Sequence, residues 1–270
     1  MRICCLMDNR AREGFAAEHG LSLWIEAAGK KLLFDAGESG AFAENAQRLG
    51  IELAQADAAV LSHGHYDHAG GMERFLELNA GARLYLRRGA EEPHWSLSTG
   101  ERRYIGLSEQ LLASGRLVWL DGDFELFPGL RLFGTGPAGQ LVPEANAVLL
   151  GPDGLSRDDF RHEQSLMIEE EGRLVLISGC SHCGIVNILR RCEELAGRSP
   201  DLVIGGFHLA IPGTDGMDAE YVDAVAARLL ARPGMRCCTG HCTGERSLVR
   251  LRELMGERVR ELNAGDILEF

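Results

Sequence analysis

The chain reads as an α/β protein, a four-layer α/β/β/α sandwich built as one domain over residues 1–270. Three observations carry that expectation. Short runs of apolar, β-compatible residues alternate along the chain with segments of helical spacing. The alternation occurs twice, giving two strand-rich halves that each carry helices. No short-period repeat, low-complexity stretch or clear linker interrupts the chain.

In the first half RICCLMD (2–8), LSLWIEA (21–27) and KKLLFDAG (30–37) have the composition of strands. Cys4 and Cys5 alternate within the first and read as core residues. SGAFAENAQRLG (39–50) sets Phe42, Ala46 and Leu49 on one helical face. DAAVLS (57–62) is a short buried strand, GGMERFLELNAG (70–81) a helix closed by glycine, and RLYLRR (83–88) and RLVWLDG (116–122) further strands. In the second half SLMIEEEGRLVLISG (165–179) reads as a hairpin turning near Gly172. IVNILRRCEELAG (185–197) is a helix, DLVIGG (201–206) a strand, and DAEYVDAVAARLLARPG (218–234) a helix stopped by Pro-Gly. MRCCTG (235–240) is a strand, and a charged amphipathic helix covers 245–262.

Composition narrows the function. With 45% hydrophobic and 25% charged residues the chain is of ordinary globular type. A formal charge of −12 argues against general nucleic-acid binding, which needs a basic surface. Apolar runs such as LVLI (174–177) are too short to span a bilayer, and MRICCLMDN lacks the features of a signal peptide. The expectation is a cytoplasmic protein with a small-molecule substrate, whose eight cysteines serve as thiols or ligands.

The densest chemistry lies in SHGHYDHAGG (62–71), directly after a buried strand. Open α/β sheets place their sites at such strand ends. Residues two apart in extended chain point the same way, so His63 and His65 can converge on one metal ion. Asp67 and His68 follow as the chain turns into a helix and can face a second ion. Gly70 and Gly71 relieve the turn. A polar capping loop is the plain alternative, but imidazoles and a carboxylate at this spacing match a two-ion site.

HGHYDHAGG resembles the HxHxDH signature of the metallo-β-lactamase superfamily, and LFDAG (33–37) is similar to the strand end that precedes it there. EHGLSLWIE (18–26), EQSLMI (163–168), GCSHCGIVNI (179–188), GGFHL (205–209) and TGHCTG (239–244) extend the resemblance from about residue 3 to 268. Together they resemble the branch named for 7,8-dihydropterin-6-methyl-4-(β-D-ribofuranosyl)aminobenzene-5′-phosphate synthase. The resemblance implies a metallo-β-lactamase-like sandwich and two divalent transition-metal ions, with zinc first and iron or manganese also compatible with the ligands. It implies either metal-assisted hydrolysis of a phosphoester, ester or lactone, or condensation of a dihydropterin pyrophosphate with an aminobenzene ribose phosphate that releases pyrophosphate.

The remaining ligands must come from the second half. His182 and His241 both follow strands, which assigns His63, His65 and His182 to one ion and Asp67, His68 and His241 to the other. His162, before the EQSLMI hairpin, is an alternative to His182. Superfamily members often bridge the ions with an aspartate in SGD; here the chain has SGC, so Cys180 stands at that position as ligand or buried bystander. The resemblance makes Asp35 a carboxylate that orients ligating histidines, against a turn-capping role. It also makes His208, like Asp67, a catalytic residue, one that protonates a leaving oxygen or holds a phosphate; a mere supporting role, or exchange of roles with His241, stays open.

A possible substrate lid covers 85–106, where Arg87, Arg88, Arg102 and Arg103 accompany His94, Trp95 and Tyr104. Guanidinium forks suit phosphate oxygens and aromatic faces suit a flat ring, although an ordinary charged surface loop has the same composition. Cys180, Cys183, Cys238 and Cys242 offer a rival structural zinc site. A di-iron redox enzyme and a non-catalytic metal-binding or sensing module are the alternatives from other functional classes.

Overall fold

The structure, a computed structural model, describes residues 1–135, 139–211, 213–214 and 216–269. The first half runs β1 (Arg2–Met7), β2 (Ser22–Ala27), β3 (Lys30–Phe34), α1 (Phe42–Arg48), β4 (Ala58–Val60), α2 (Tyr66–Ala69), α3 (Met72–Leu78), β5 (Arg83–Arg87), β6 (Trp95–Ser96), β7 (Arg103–Tyr104), α4 (Glu109–Leu112) and β8 (Leu117–Leu120). The second runs β9 (Phe124–Phe127), β10 (Leu130–Phe133), β11 (Leu149–Leu150), β12 (Ser165–Glu170), β13 (Arg173–Ile177), α5 (Ile185–Ala196), β14 (Leu202–Gly205), α6 (Ala219–Leu230), β15 (Arg236–Thr239), α7 (Glu245–Met255), β16 (Val259–Glu261) and β17 (Ile267–Glu269).

Two seven-stranded sheets form, in the orders β17-β1-β2-β3-β4-β5-β8 and β16-β15-β14-β13-β12-β10-β9. Period-two alternation divides their side chains between two faces. Leu32 and Phe34 of β3 and Val175 and Ile177 of β13 meet in one buried cluster between the sheets. Leu33 faces the other way, onto Phe42, Ala46, Met72 and Phe75 of α1 and α3. Leu174 and Leu176 likewise pack on Ile188, Val225 and Leu251 of α5, α6 and α7. Helices therefore cover each outer face and the sheets cover each other, which is the expected α/β/β/α sandwich. Cys4 and Cys5 fall in the outer and inner clusters respectively.

Topology puts the functional loops together. Strands β3, β4, β5 and β8 are mutually parallel, as are β13, β14, β15 and β16. The loops that leave the ends of β3, β4, β13, β14 and β15 carry Asp35, His63, His182, His208 and His241.

Several elements differ from the sequence expectation. The helix expected over 245–262 stops at Met255, because Gly256 takes φ +58° and Val259–Glu261 pairs parallel to β15. The helix expected to close on glycine ends at Asn79, whose side-chain oxygen accepts from the Gly81 and Ala82 amides. Strands β9 and β10 form a hairpin that FELFPGLRLF announces by alternation around Pro-Gly. Segment 85–106 contains β6 and β7, which join β11 in a third, three-stranded sheet. Among the described residues no helix is long and apolar enough to cross a membrane.

Candidate metal centre

Asp35 leaves β3 with a left-handed backbone, φ 56°. Its carboxylate, fully buried, accepts from the Ser62 amide (2.7 Å), the Ser62 hydroxyl (2.7 Å) and His68 Nδ1 (2.6 Å). The Ser62 hydroxyl spends its proton on Asp35, so it accepts from His63 Nδ1 at 2.8 Å. One carboxylate thus takes the Nδ1 proton of two histidines, directly from His68 and through Ser62 from His63, and turns both Nε2 atoms toward the centre, as an orienting carboxylate would. Asn146 does the same for His182, accepting from its Nδ1 at 3.0 Å, and Asn9 for His241 at 2.8 Å.

The freed nitrogens converge. His63 Nε2 lies 3.3 Å from His182 Nε2, and His68 Nε2 lies 3.2 Å from His241 Nε2. Imidazole nitrogens at that distance repel unless a proton or a metal cation lies between them. Tetrahedral coordination with metal–nitrogen bonds of about 2.0–2.1 Å places ligand nitrogens roughly 3.3 Å apart. His65 Nε2 is also buried without a hydrogen-bond partner. The residues fit a divalent ion on each side: His63, His65 and His182 form one group with converging donor atoms, and Asp67, His68, Cys180 and His241 another.

Electrostatics agree with this division. Burial holds the pKa of His63, His65 and His182 well below the usual imidazole value, so their lone pairs are available at neutral pH. Burial opposes ionisation of Asp67, but His68, His19 and His241 outweigh it and keep its pKa well below the carboxylate range. Burial also opposes protonation of His68, yet the carboxylates of Asp35 and Asp67 raise its pKa to about 9, so a bound ion takes the place of a proton on its Nε2. Cys180 Sγ sits 3.1 Å from His68 Nε2, and burial with the neighbouring Cys242 raises its pKa.

The structure places the other candidates as follows. His162 does not join His63 and His182: its Nδ1 accepts from the Gly64 amide at 3.0 Å, and it clusters with His94 and Asp158. His208 takes φ 50°, its ring centroid lies 4.3 Å from that of His182, and both its nitrogens are buried without partners. Ser181, His241 and Phe160 also hold left-handed backbone, so five non-glycine residues around the cluster carry strain of the kind concentrated at functional sites. Gly70 and Gly71 hold right-handed backbone, and a Cβ at Gly70 would run into the Glu38 carbonyl oxygen, the clash that glycine avoids. The four cysteines of the rival zinc site stay apart in function: Cys238 packs between the sheets and donates toward Glu261 O, and Cys183 donates toward Phe160 O.

A cavity of about 250 Å³ opens onto the cluster. His65, Asp67, Cys180, His182, His208 and His241 form its floor, and Ile105, Val148 and Leu149 an apolar wall. Arg103 lines it too, its Nη2 donating to the Tyr66 hydroxyl at 3.1 Å with the guanidinium over the Tyr66 ring. The remaining lid candidates point elsewhere. Arg102 stacks on Trp95, and neither lines this cavity. Arg88 pairs with Glu91 and Asp121 over Trp119. Arg87 donates to the carbonyls of Arg161 and Gly122 and lines a separate cavity of about 740 Å³ that also reaches His182.

Sequence reasoning missed His19, whose Nε2 lies 3.3 Å from Asp67 Oδ2 at the cavity edge. It also missed Tyr66, Asn9, Asn146 and Glu163. A polar residue that acts through one long-range contact leaves no local pattern, although EHGLSLWIE, HGHYDHAGG and EQSLMI did hold three of them.

Comparison with known proteins identifies the family. The chain is 30% identical to 7,8-dihydropterin-6-methyl-4-(β-D-ribofuranosyl)-aminobenzene-5′-phosphate synthase of Methanocaldococcus jannaschii, over 95% of this chain and 91% of that protein. It is 29% identical to an uncharacterized protein of the same organism, over 92% and 93%. Among solved structures, Tm1679, described as a metal-dependent hydrolase of the β-lactamase superfamily, is similar with a TM-score of 0.80 and 31% identity, covering 100% of this chain and 99% of that one. Zinc-bound PqqB from Methylobacterium extorquens shares the fold at a TM-score of 0.61 and 15% identity, covering both chains in full. The sequence model of the metallo-β-lactamase superfamily matches residues 17–182, and this chain belongs to that superfamily.

Proposed function

We propose that the protein is a dinuclear, zinc-type hydrolase or transferase of the cytoplasm that acts on a small phosphorylated or ester-type substrate. The observation that carries this reading is the pair of nitrogen–nitrogen contacts, 3.3 and 3.2 Å, between histidines whose other ring nitrogens are already committed. Two bound dications supply Lewis acidity and an acidified water at neutral pH. His63, His65 and His182 would hold one ion, and Asp67, His68, His241 and Cys180 the other.

The chain's own groups do the rest. Asp35 keeps His63 and His68 in the ligating tautomer. Asp67, held ionised, accepts a hydrogen bond from His19 at the cavity floor and leaves His241 Nε2 to the ion. His208 has both ring nitrogens free to donate to a leaving oxygen or accept from a bound group. Arg103 and Tyr66 offer donors to an anionic group away from the ions, and Ile105, Val148 and Leu149 take the apolar body of the substrate. Residues 85–106 act as the cover, since Ser96, Ser98, Arg103 and Ile105 of that segment border the cavity. All eight cysteines are free thiols, which suits a reducing compartment.

A transferase reading has its own support, the 30% identity to a named synthase over nearly the whole chain. Metal analysis of protein purified without added metal, followed by turnover of phosphodiester and lactone probes, tests the hydrolase. About two ions per chain with probe hydrolysis is the expected result. Two ions without hydrolysis, but with transfer from a dihydropterin donor, would select the synthase; absence of bound metal would sink both.

A further inference from the structure

The segment Asp158–Gln164 touches both ligand-bearing loops, and its contacts form a set. His162 Nδ1 accepts from the amide of Gly64, the residue between His63 and His65, at 3.0 Å. The Glu163 carboxylate accepts from the amides of His182 (2.6 Å) and Cys183 (2.7 Å). The Gln164 amide donates to Ser62 O at 2.8 Å, and its side chain to Leu61 O at 2.8 Å. Phe160 stacks on the His182 ring, centroids 4.4 Å apart and planes 6° from parallel. Phe160, His162, Glu163 and Gln164 are all at least 95% buried.

The segment is itself anchored. Asp158 Oδ2 accepts from His94 Nδ1 at 2.7 Å and lies 3.4 Å from His162 Nε2. His94 Nε2 donates to Gly89 O at 3.1 Å. His65, His94, Asp158 and His162 have the composition of a metal site. Yet each nitrogen of His94 and His162 already has a protein partner, so these two rings are satisfied without an ion, and the unpartnered His65 Nε2 belongs with His63 and His182. Gly64 leaves no slack against it: a Cβ there would lie 2.7 Å from Ala90 O and 3.1 Å from His94 Cδ2.

We infer that Asp158–Gln164, anchored by His94, is a clamp that sets the spacing of the His63–His65–His182 half of the metal centre, with His162 and Glu163 as its positioning residues. The two loops it joins are more than 100 residues apart in the chain and lie on different sheets. A backbone amide fixed on each side of the ion, at Gly64 and at His182, fixes three ligands through two hydrogen-bonding side chains. The Asp67–His68–His241 half receives no contact of this kind from the clamp among the described residues.

This inference rests on the proposed metal centre, and one experiment separates the two. Metal affinity is measured by chelator competition, with the absorption spectrum of the cobalt(II)-loaded protein as the coordination readout and unfolding of the metal-free protein as the control for fold. Wild type should bind two ions; if it binds none, the proposed function fails whatever the clamp does. His162→Leu and Glu163→Gln should each weaken one ion by about 10–100-fold, the usual effect of losing a group that supports ligands, and change the part of the cobalt spectrum that His63→Ala removes. His162→Gln should restore wild-type affinity, because glutamine can accept from Gly64 and donate to Asp158. If His162→Leu does not fold, Glu163→Gln and His162→Gln still decide. Two ions at wild-type affinity in Glu163→Gln, failure of His162→Gln to rescue, or a third ion in wild type lost on His94→Gln would each overturn the clamp.

Discussion

The two halves of the proposed metal centre are made of different chemistry. His63, His65 and His182 are imidazoles alone, neutral through burial, and the ring protons of His63 and His182 are fixed by a hydroxyl and an amide. The other half joins two imidazoles to a carboxylate and a thiol. Asp67 stays ionised there because histidines surround it. A neutral ligand set gains no charge–charge attraction for a dication and holds it through its oriented lone pairs, whereas an anionic set adds that attraction. The hydrogen bonds follow that logic: the clamp reaches the neutral half, while Asp35 serves one histidine of each.

The comparison is broken most directly by removing ligands. His63→Ala and His68→Ala should each release at least one ion, and the double variant both. Full occupancy by elemental analysis in a folded double variant would remove the site as drawn. Next in size, His208→Ala should keep both ions while turnover falls by roughly 10²–10⁴-fold, the usual contribution of a positioned acid or base. Loss of an ion in His208→Ala, with both retained in His241→Ala, would exchange the two roles.

Smaller effects sharpen the contrast between halves. Asp35→Asn should weaken both ions about 10–100-fold, whereas Asn146→Ala, which reaches only His182, should weaken one. Equal effects on both ions in the two variants would show that the halves are not independent. Cys180 tests whether sulfur belongs to the anionic half: its thiol should resist alkylation in loaded protein and react after chelation, read by mass spectrometry. Identical labelling in both states would place Cys180 outside the centre. Chelation should also lower the unfolding midpoint, since an ion held at 100 times its Kd stabilises the fold by about 2.7 kcal/mol.

Much of this was legible in the order of residues. HxHxDH brought four candidate ligands into six positions, and the apolar runs before His182 and His241 marked both as strand-end residues. Alternation and helical spacing identified the strands and helices of the two main layers, because burial on one face imposes a short period on the chain. Where that period was blurred the reading failed. Charged residues continued beyond Gly256 and disguised β16, and two-residue strands such as β6 and β11 are too short to show a period at all.

Local spacing determined which residue types would gather at strand ends, because neighbours along a strand or a short helix keep a fixed angular relation. Tertiary structure alone decided which ends would meet. His63 finds His182 across 119 positions and His68 finds His241 across 173, distances over which a flexible chain carries no directional memory. The same holds for the selection of Arg103 from four lid arginines, for His19, and for the hydrogen bonds of Asp158–Gln164. Each depends on packing two sheets face to face, which turns remote loops into neighbours and leaves their buried polar groups only one another to satisfy.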